Sequence, residues 1–524
     1  MGRGALPRRA HQLLAVWTVV FALTGCGEKT PSQGAGVSTS APESALPHGW
    51  EGAAGLDRAK AEGKPTLLYI SSTWCPPCQA LEANVLSKEA FFNSTTDFVR
   101  VRVDGDSEGA QAVIEKFEAW AYPTVLVLSP DGGEVYRAHH TVSLNELLKA
   151  LALARGTSTA FEQAVSELEK GMATVKLCPL FAATSWSSVP IKNSTDRSGA
   201  ALRAFDLCKG VNPVAGAALA AEALALASMR DMYADSTRVG NGVKARAGEL
   251  LQAIFATSDT QWAARTFITS WVKVFVRWHL EDDREAPFQN LKKTWLEAAR
   301  NIADRSNSPV DVALLAELPA VEFYRLENAG AAIDPVISER IYGRVKRLNS
   351  MNLTAAERHA TMGNAAYLLR SIGKKALAVE MLIAETQKSD SPSHYLTTLS
   401  QWAKEDGQIE QARQWAREAS TRERGRSSKI QWLANECDLY KDDEAQVNVL
   451  VERAAEAYTL IFARKDAFLG RDKTRAHQLA AALKPWAKRS EVVKLVEKFA
   501  PKCGGVDLVA HAECEAHFEL IQGK

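Results

Sequence analysis

Hydrophobic and polar positions follow two regimes along this chain, with the change near residue 156. Before it, short strand-like runs alternate with helical stretches. Thr66 to Ser72 (TLLYISS) is apolar and β-branched throughout, which predicts a buried strand. Phe98 to Val103 (FVRVRV) alternates strictly and predicts a strand with one covered face. Thr124 to Ser129 (TVLVLS) predicts a third. The turn Pro130-Asp131-Gly132-Gly133 then leads back into Glu134 to Ala138 as a hairpin. Between these runs the spacing is helical. From Trp50 to Lys64 a shared face carries Ala53, Leu56, Ala59 and Lys60, and Gly63-Lys64-Pro65 stops it. Helical spacing resumes at Cys75 and passes through Leu81 and Val85. It returns over Ala110 to Phe117, and over Leu144 to Ala154 behind the cap Ser143. The order α-β-α-β-α-β-β-α predicts an α/β mixed sheet with helices on both faces.

After Gly156 strand-like runs nearly vanish. Ala, Leu, Glu, Lys and Arg dominate, and Trp recurs at 262, 271, 278, 295, 402, 415, 432 and 486. This all-helical stretch is too long for one bundle and predicts a helical array. One period is visible inside it. Gly373 and Gly407 lie 34 residues apart, each followed five residues later by Ala378 or Ala412, then by Leu382 or Ala416. The spacing resembles the tetratricopeptide repeat, with a turn Gly and a small residue where the helices cross. A third step falls on Lys441, with Ala445 one residue out of register. The same register places Leu399, Leu433 and Cys437 on inner faces. The expected division is a helical domain over 156–350 and tetratricopeptide-like helical repeats over 351–524.

Length and composition set outer bounds. At 524 residues the chain is long enough for three or four domains. Its 46% hydrophobic and 24% charged residues exclude a mostly disordered or fibrous chain. Lys plus Arg count 63 against 62 Asp plus Glu, so there is no basic excess to neutralise phosphates and no nucleic-acid partner is expected. The N-terminus carries Arg3, Arg8 and Arg9, then an apolar run from Leu13 to Leu23. That run is too short to span a bilayer, which needs about 20 residues, and reads as a signal-peptide core. It ends in Leu23-Thr24-Gly25-Cys26, which resembles the bacterial lipobox. The resemblance implies removal of residues 1–25, acylation of Cys26 and a membrane anchor. Gly27 in place of Asp implies the outer membrane, with the chain facing the periplasm. Residues 26–47 are rich in Ser, Gly, Pro and Ala, lack an apolar period, and form a flexible tether.

The extracytoplasmic compartment allows disulfides. The eight cysteines are Cys26, Cys75, Cys78, Cys178, Cys208, Cys437, Cys503 and Cys514. With Cys26 acylated and Cys75–Cys78 a CxxC, five remain, enough for two bridges. Cys178 with Cys208 and Cys503 with Cys514 are the local pairings, although sequence leaves the connectivity open. Cys437 is then a buried thiol.

The motif that carries chemistry is Trp74-Cys75-Pro76-Pro77-Cys78, directly after a strand and opening a helix. Positions i and i+3 share a helix face, close enough to bridge. Unpaired N–H groups at the helix start stabilise a thiolate on the first Cys. Pro76 and Pro77 fit the first turn, where a missing N–H is not needed. Cys75 would attack and Cys78 would resolve the mixed disulfide. Residues 48–155 resemble the thioredoxin superfamily through Lys64-Pro65, WCPPC, Asp104 at a strand end and Tyr122-Pro123-Thr124. The closest subgroup resembles the C-terminal domain of bacterial thiol:disulfide interchange proteins of the DsbD type, which share Cys-x-x-Cys-x-x-x-Glu, here Cys75 to Glu82. The resemblance implies a cis Pro123 packed against the CxxC, substrate contact at Tyr122, and Trp74 shielding the disulfide. One position departs. The family usually buries an Asp six residues before the first Cys; here it is Tyr69, a poor base at neutral pH. Glu82 is then the candidate proton relay, against the alternative of a solvated helix-surface residue, and the direction of electron flow stays open.

A zinc site would need a second ligand pair, and His139-His140 lack ligand spacing, so no metal is expected. Asp104-Gly105-Asp106 reads as a turn rather than a calcium loop. No nucleotide, flavin or haem motif is present, so no cofactor is expected and electrons must pass by dithiol exchange. The expectation is a membrane-anchored thiol:disulfide oxidoreductase acting on protein cysteine pairs in the reductase or isomerase direction, served by a redox partner protein. The rival reading is a helical-repeat binding scaffold with a redox-sensing or docking thioredoxin-like module.

Overall fold

The computed structural model describes residues 49–138, 142–156, 159–187, 196–233, 241–279 and 285–523. The leader, Cys26, the tether and His139-His140 lie outside the described residues. Four strands form one sheet in the order β2-β1-β3-β4. They are β1 (Thr66–Ser71), β2 (Val99–Asp104), β3 (Thr124–Leu128) and β4 (Glu134–Ala138). β1 runs parallel to β2 with Tyr69 opposite Arg102, and antiparallel to β3; β3 and β4 are antiparallel. Every residue of β1 is buried, as the continuous apolar run requires of a strand covered on both faces.

Five helices accompany the sheet: α1 (Gly55–Ala61), α2 (Pro76–Leu81), α3 (Glu89–Asn93), α4 (Ala110–Lys116) and α5 (Leu144–Gly156). A π-helical turn, Glu82–Leu86, prolongs α2. Leu67, Tyr69, Val125 and Val127 face one apolar layer with Phe91, Leu147 and Leu151. Leu68, Ile70, Val99, Val101 and Leu126 face the other with Ile114. The two layers follow from the period of two along each strand. This is the mixed α/β sheet that the alternating runs predict, in the thioredoxin-like arrangement that the resemblance implies. One boundary differs. The helical pattern from Trp50 becomes a helix only at Gly55. Glu51 instead pairs with the outer edge of β2, accepting from Arg102 N (2.8 Å) and donating to Arg100 O (2.9 Å). Those edge groups would otherwise lack backbone partners.

Among the described residues, about 20 helices follow. Apolar packing runs across residue 155. Val135 of β4 shares a core with Phe161, Phe181 and Trp186, and Ser185 N donates to Arg137 O at 2.9 Å. Cys178 and Cys208 are bridged, as are Cys503 and Cys514, and Cys437 is a free buried thiol. Ala355–Ser371 with Lys375–Glu385, and Ser393–Glu405 with Ile409–Arg422, form two helical hairpins. Their turns use Gly373 (φ 84°) and Gly407 (φ 78°), a left-handed conformation that side-chain-bearing residues rarely adopt. Ala378 and Ala412 are fully buried in these hairpins. The next pair, Arg426–Cys437 and Val447–Ile461, has a longer turn containing the short 3-10 helix Glu444–Gln446, and Ala445 is exposed there. No helix among the described residues is long and apolar enough to cross a membrane.

Peptide mapping under non-reducing conditions checks this cysteine arrangement. Cys178–Cys208 and Cys503–Cys514 should appear as linked peptides. Cys437, whose thiol burial pushes well above the usual range, should alkylate only after unfolding. Rapid alkylation of Cys437 in the native chain would contradict its burial.

Candidate functional site

β1 ends at Ser71, and the chain turns through Trp74 into α2. Cys75 is the N-cap of α2, with Pro76 and Pro77 in the first turn. Its Sγ accepts a hydrogen bond from Cys78 N at 3.2 Å. This first-turn N–H, which also donates to Cys75 O at 3.1 Å, is therefore aimed at the sulfur that would carry negative charge. Cys75 and Cys78 are bridged, with Cα atoms 5.2 Å apart. The Tyr122–Pro123 peptide bond is cis. Tyr122 reaches the Trp74 ring edge-on, with centroids 6.2 Å apart. Its hydroxyl lies where a side chain at position 105 would stand, which accounts for Gly105.

Beneath the pair, Tyr69 occupies the place of the expected acid. Its hydroxyl donates to Glu82 Oε1 at 2.9 Å and lies 3.3 Å from the Cys78 carbonyl. Burial, reinforced by the Glu82 charge, pushes this phenol well above its usual range, so it stays protonated. Arg102 completes the group by donating to Glu82 Oε1 at 2.9 Å. Glu82 is thus half-buried and held by two donors rather than freely solvated. Tyr69 and Arg102 are paired positions on adjacent parallel strands. The alternation of FVRVRV could have shown that one of its arginines faces the site. Asp104, at the end of β2, is raised to about 6 by burial and by neighbouring Asp106.

The largest difference from expectation is exposure. The helix-start context predicts an accessible pair, yet Cys75 is 1% exposed and Cys78 fully buried. The cover comes from the helical region. The Trp74 ring meets Trp432 edge-on at 5.3 Å and stacks near His394 at 5.9 Å. His359 Nε2 approaches the Trp74 carbonyl at 3.4 Å, and burial holds this imidazole below its usual range. The Arg471 guanidinium lies 4.4 Å over the Tyr122 ring and donates to Trp120 O at 2.5 Å.

The cover is fastened by helix ends that cap one another. The helix Arg426–Cys437 starts at Gly425, which has no capping side chain. Asp106 supplies the cap, accepting from Ser428 N (2.8 Å) and Ser428 Oγ (2.6 Å). The helix Gly470–Leu483 is capped by α4: Gly470 N donates to Glu115 Oε2 and Arg471 N to Gln111 Oε1, each at 2.8 Å. In return, Asp466 accepts from Gln111 N at 2.8 Å, in the first turn of α4. Arg464, fully buried, pairs with Asp466 at 2.9 Å and donates to Ser107 O at 2.7 Å. Beside it, burial raises the Asp472 carboxyl to about 7. None of these capping residues carries a sequence motif. Among the described residues, no group of His, Cys, Asp or Glu is arranged to hold a metal ion.

The sheet order and the CxxC at a helix start define a thioredoxin-like domain. Residues 50–130 match the family described as Thioredoxin-like. The chain is 28% identical over 89 residues to the thiol:disulfide interchange protein DsbD of Yersinia enterocolitica, covering 17% of this chain and 15% of that protein. It is 25% identical over 170 residues to the thiol:disulfide interchange protein TxlA of Synechococcus elongatus, covering 30% of this chain and 83% of that protein.

Two substitutions test the site's supports. Tyr69→Phe removes the hydroxyl that holds Glu82 beneath Cys78, and should destabilise the chain by about 1–2 kcal/mol in denaturant titration. Asp472 titrates near 7 in the folded chain against 3.8 in the reference state, so the proton is bound more tightly when folded. Its contribution is full below about pH 4 and is lost as pH rises through about 7. Melting curves of Asp472→Asn should therefore gain on wild type by at least about 2 °C between the two ends of that window. A constant difference across it would mean that Asp472 does not ionise there.

Proposed function

We propose that this chain is a thiol:disulfide oxidoreductase acting on cysteine pairs of other proteins. The observation that carries the reading is the Cys75 sulfur at the start of α2, hydrogen-bonded to Cys78 N and three residues from a second thiol. In the reducing direction, the Cys75 thiolate attacks a substrate disulfide and forms a mixed disulfide, expelling one substrate sulfur as a thiolate. Cys78, deprotonated, then attacks Cys75 Sγ and releases the second substrate thiolate. The substrate gains two electrons, and the pair is left oxidised, the form bridged in this structure. The Tyr69–Glu82–Arg102 group beneath Cys78 offers one ionisable carboxylate as a proton acceptor. A redox partner protein would return the pair to the dithiol. Trp74, Tyr122 and Pro123 would contact substrate.

The likeness to two thiol:disulfide interchange proteins supports the same chemistry and an envelope setting. We place the chain on the periplasmic side of the outer membrane, anchored through acylated Cys26 and the 26–47 tether. The reductase or isomerase direction suits a pair kept reduced by such a partner. The two hairpins, with turn glycines 34 residues apart, support a tetratricopeptide-like array, whose stacked helices would recruit the partner. The burial of Cys75 favours the rival reading, a binding scaffold whose thioredoxin-like module senses or docks.

Dithiothreitol-coupled insulin reduction decides between them. Cys75→Ser should fall to the uncatalysed background, whereas Cys78→Ser should accumulate mixed disulfides because the attacking thiol survives without its resolver. Scaffold function would instead leave wild type and Cys75→Ser indistinguishable, even in variants that uncover the pair.

A further inference from the structure

In this conformation no protein disulfide can reach Cys75. Attack requires the substrate sulfur to contact Cys75 Sγ, and that residue is 1% exposed. Trp432 and His394 cover the Trp74 ring, and Arg471 covers Tyr122 and takes the Trp120 carbonyl. The space left between Trp74, Tyr122, Ser428, Gln431, Arg471 and Arg475 is about 10 Å³. That is room for about one water molecule, not for a polypeptide.

We propose that the helical region is a closed cover over the CxxC, and that substrate gains access only when its helices Ala355–Ser371, Ser393–Glu405, Arg426–Cys437 and Gly470–Leu483 lift from α2 and residues 104–115. This rests on the reading of Cys75 as the attacking thiol.

The fastening suits a cover that opens. Its polar contacts include helix caps and an ion pair, Asp106 to Ser428, Gln111 to Asp466 and Arg471, and Glu115 to Gly470 and Lys473, and Arg464 donates to the Ser107 carbonyl. On separation each of these groups can bond water instead, so the net cost of breaking each contact is modest. The apolar part of the joint, where Trp432 packs with Trp74, has no such exchange and is what opening must overcome. Trp432 is held from its own side, donating through Nε1 to Glu423 at 3.0 Å, so it would leave with the helical region. The Trp74 indole Nε1 is buried without a hydrogen-bond partner, a donor that an arriving substrate backbone could satisfy once the cover is off. Gly425 marks where the fit is closest. A Cβ there would overlap the Asp106 carboxylate, while its backbone (φ −70°, ψ 137°) suits any residue. Gly425→Ala is therefore a wedge that adds no backbone strain, and Asp106→Ala removes the cap itself.

The experiment uses the full chain, reduced with a phosphine. Cys75 is labelled with a polyethylene-glycol maleimide and read by peptide mass spectrometry, with Cys437 as an internal marker of unfolding. Labelling of Cys75 should be slow in wild type and at least about tenfold faster in Gly425→Ala and Asp106→Ala, in proportion to the open fraction. Cys437 should stay protected in all three. Equal, rapid labelling of wild type and both variants would overturn the cover. Should the variants unfold and expose Cys437, amide exchange in wild type decides. Ser428, Gly470 and Arg471, whose N–H groups are capped from the other side, should exchange faster than Leu433 in the interior of its helix. Equally slow exchange would mean a fixed wall and would overturn the proposal. Insulin reduction separates this from the chemistry. Faster labelling in a variant with no gain in activity would leave the cover standing and remove the oxidoreductase reading.

Discussion

Reciprocal capping of helix N-termini is the interaction on which the arrangement of this molecule depends. The first turn of any helix leaves N–H groups without intrahelical partners. Here Asp106 caps the helix that starts at Gly425, Gln111 and Glu115 cap the helix that starts at Gly470, and Asp466 caps α4 in return. A cap contributes about 1 kcal/mol, so no single one holds the halves together. Acting as a set, they fix distance and rotation at once, because each carboxylate or amide must meet a particular N–H. The glycines follow from this geometry. Gly425 leaves room for the Asp106 carboxylate, and at Gly470 a Cβ would lie 2.7 Å from the Gln111 carbonyl.

That docking changes the electrostatics of the CxxC surroundings. Arg464, Asp466 and Asp472 form a buried group against the segment 106–107, whose carbonyls Arg464 also reaches. Removing one partner from such a group leaves an uncompensated buried charge. His359 and His394 are likewise brought to Trp74 by the fold of the helical region. On the opposite side, Tyr69, Glu82 and Arg102 replace the usual buried acid by a neutral donor, a carboxylate and a cation. The phenol cannot accept the proton of Cys78 at neutral pH. It can hold Glu82 in place.

Local chemistry was legible in the residues themselves. Period-two alternation, β-branched runs and turn residues are short-range signals, and the four strands lie within a residue of where they point. WCPPC was legible as a candidate redox motif, because a helix start and an i, i+3 spacing are properties of five consecutive residues. The 34-residue step between Gly373 and Gly407 was legible for the same reason, since a left-handed turn excludes most other residues. The start of α1 was misread because Glu51 satisfies the edge of β2, a demand set by a strand about 50 residues away.

The sequence by itself determined the sheet, the CxxC at the head of a helix and the largely helical character of the described residues after 156. Tertiary structure alone decided whether that CxxC faces water. Asp106 and Ser428 are 322 residues apart, and Gln111 and Asp466 are 355 apart. No period or motif links such positions. An Asp in a turn reads the same whether it caps its own helix, another one, or none. Burial of a reactive sulfur is a property of what packs over it, and here that surface is built from helices whose own sequences carry no sign of the site they cover.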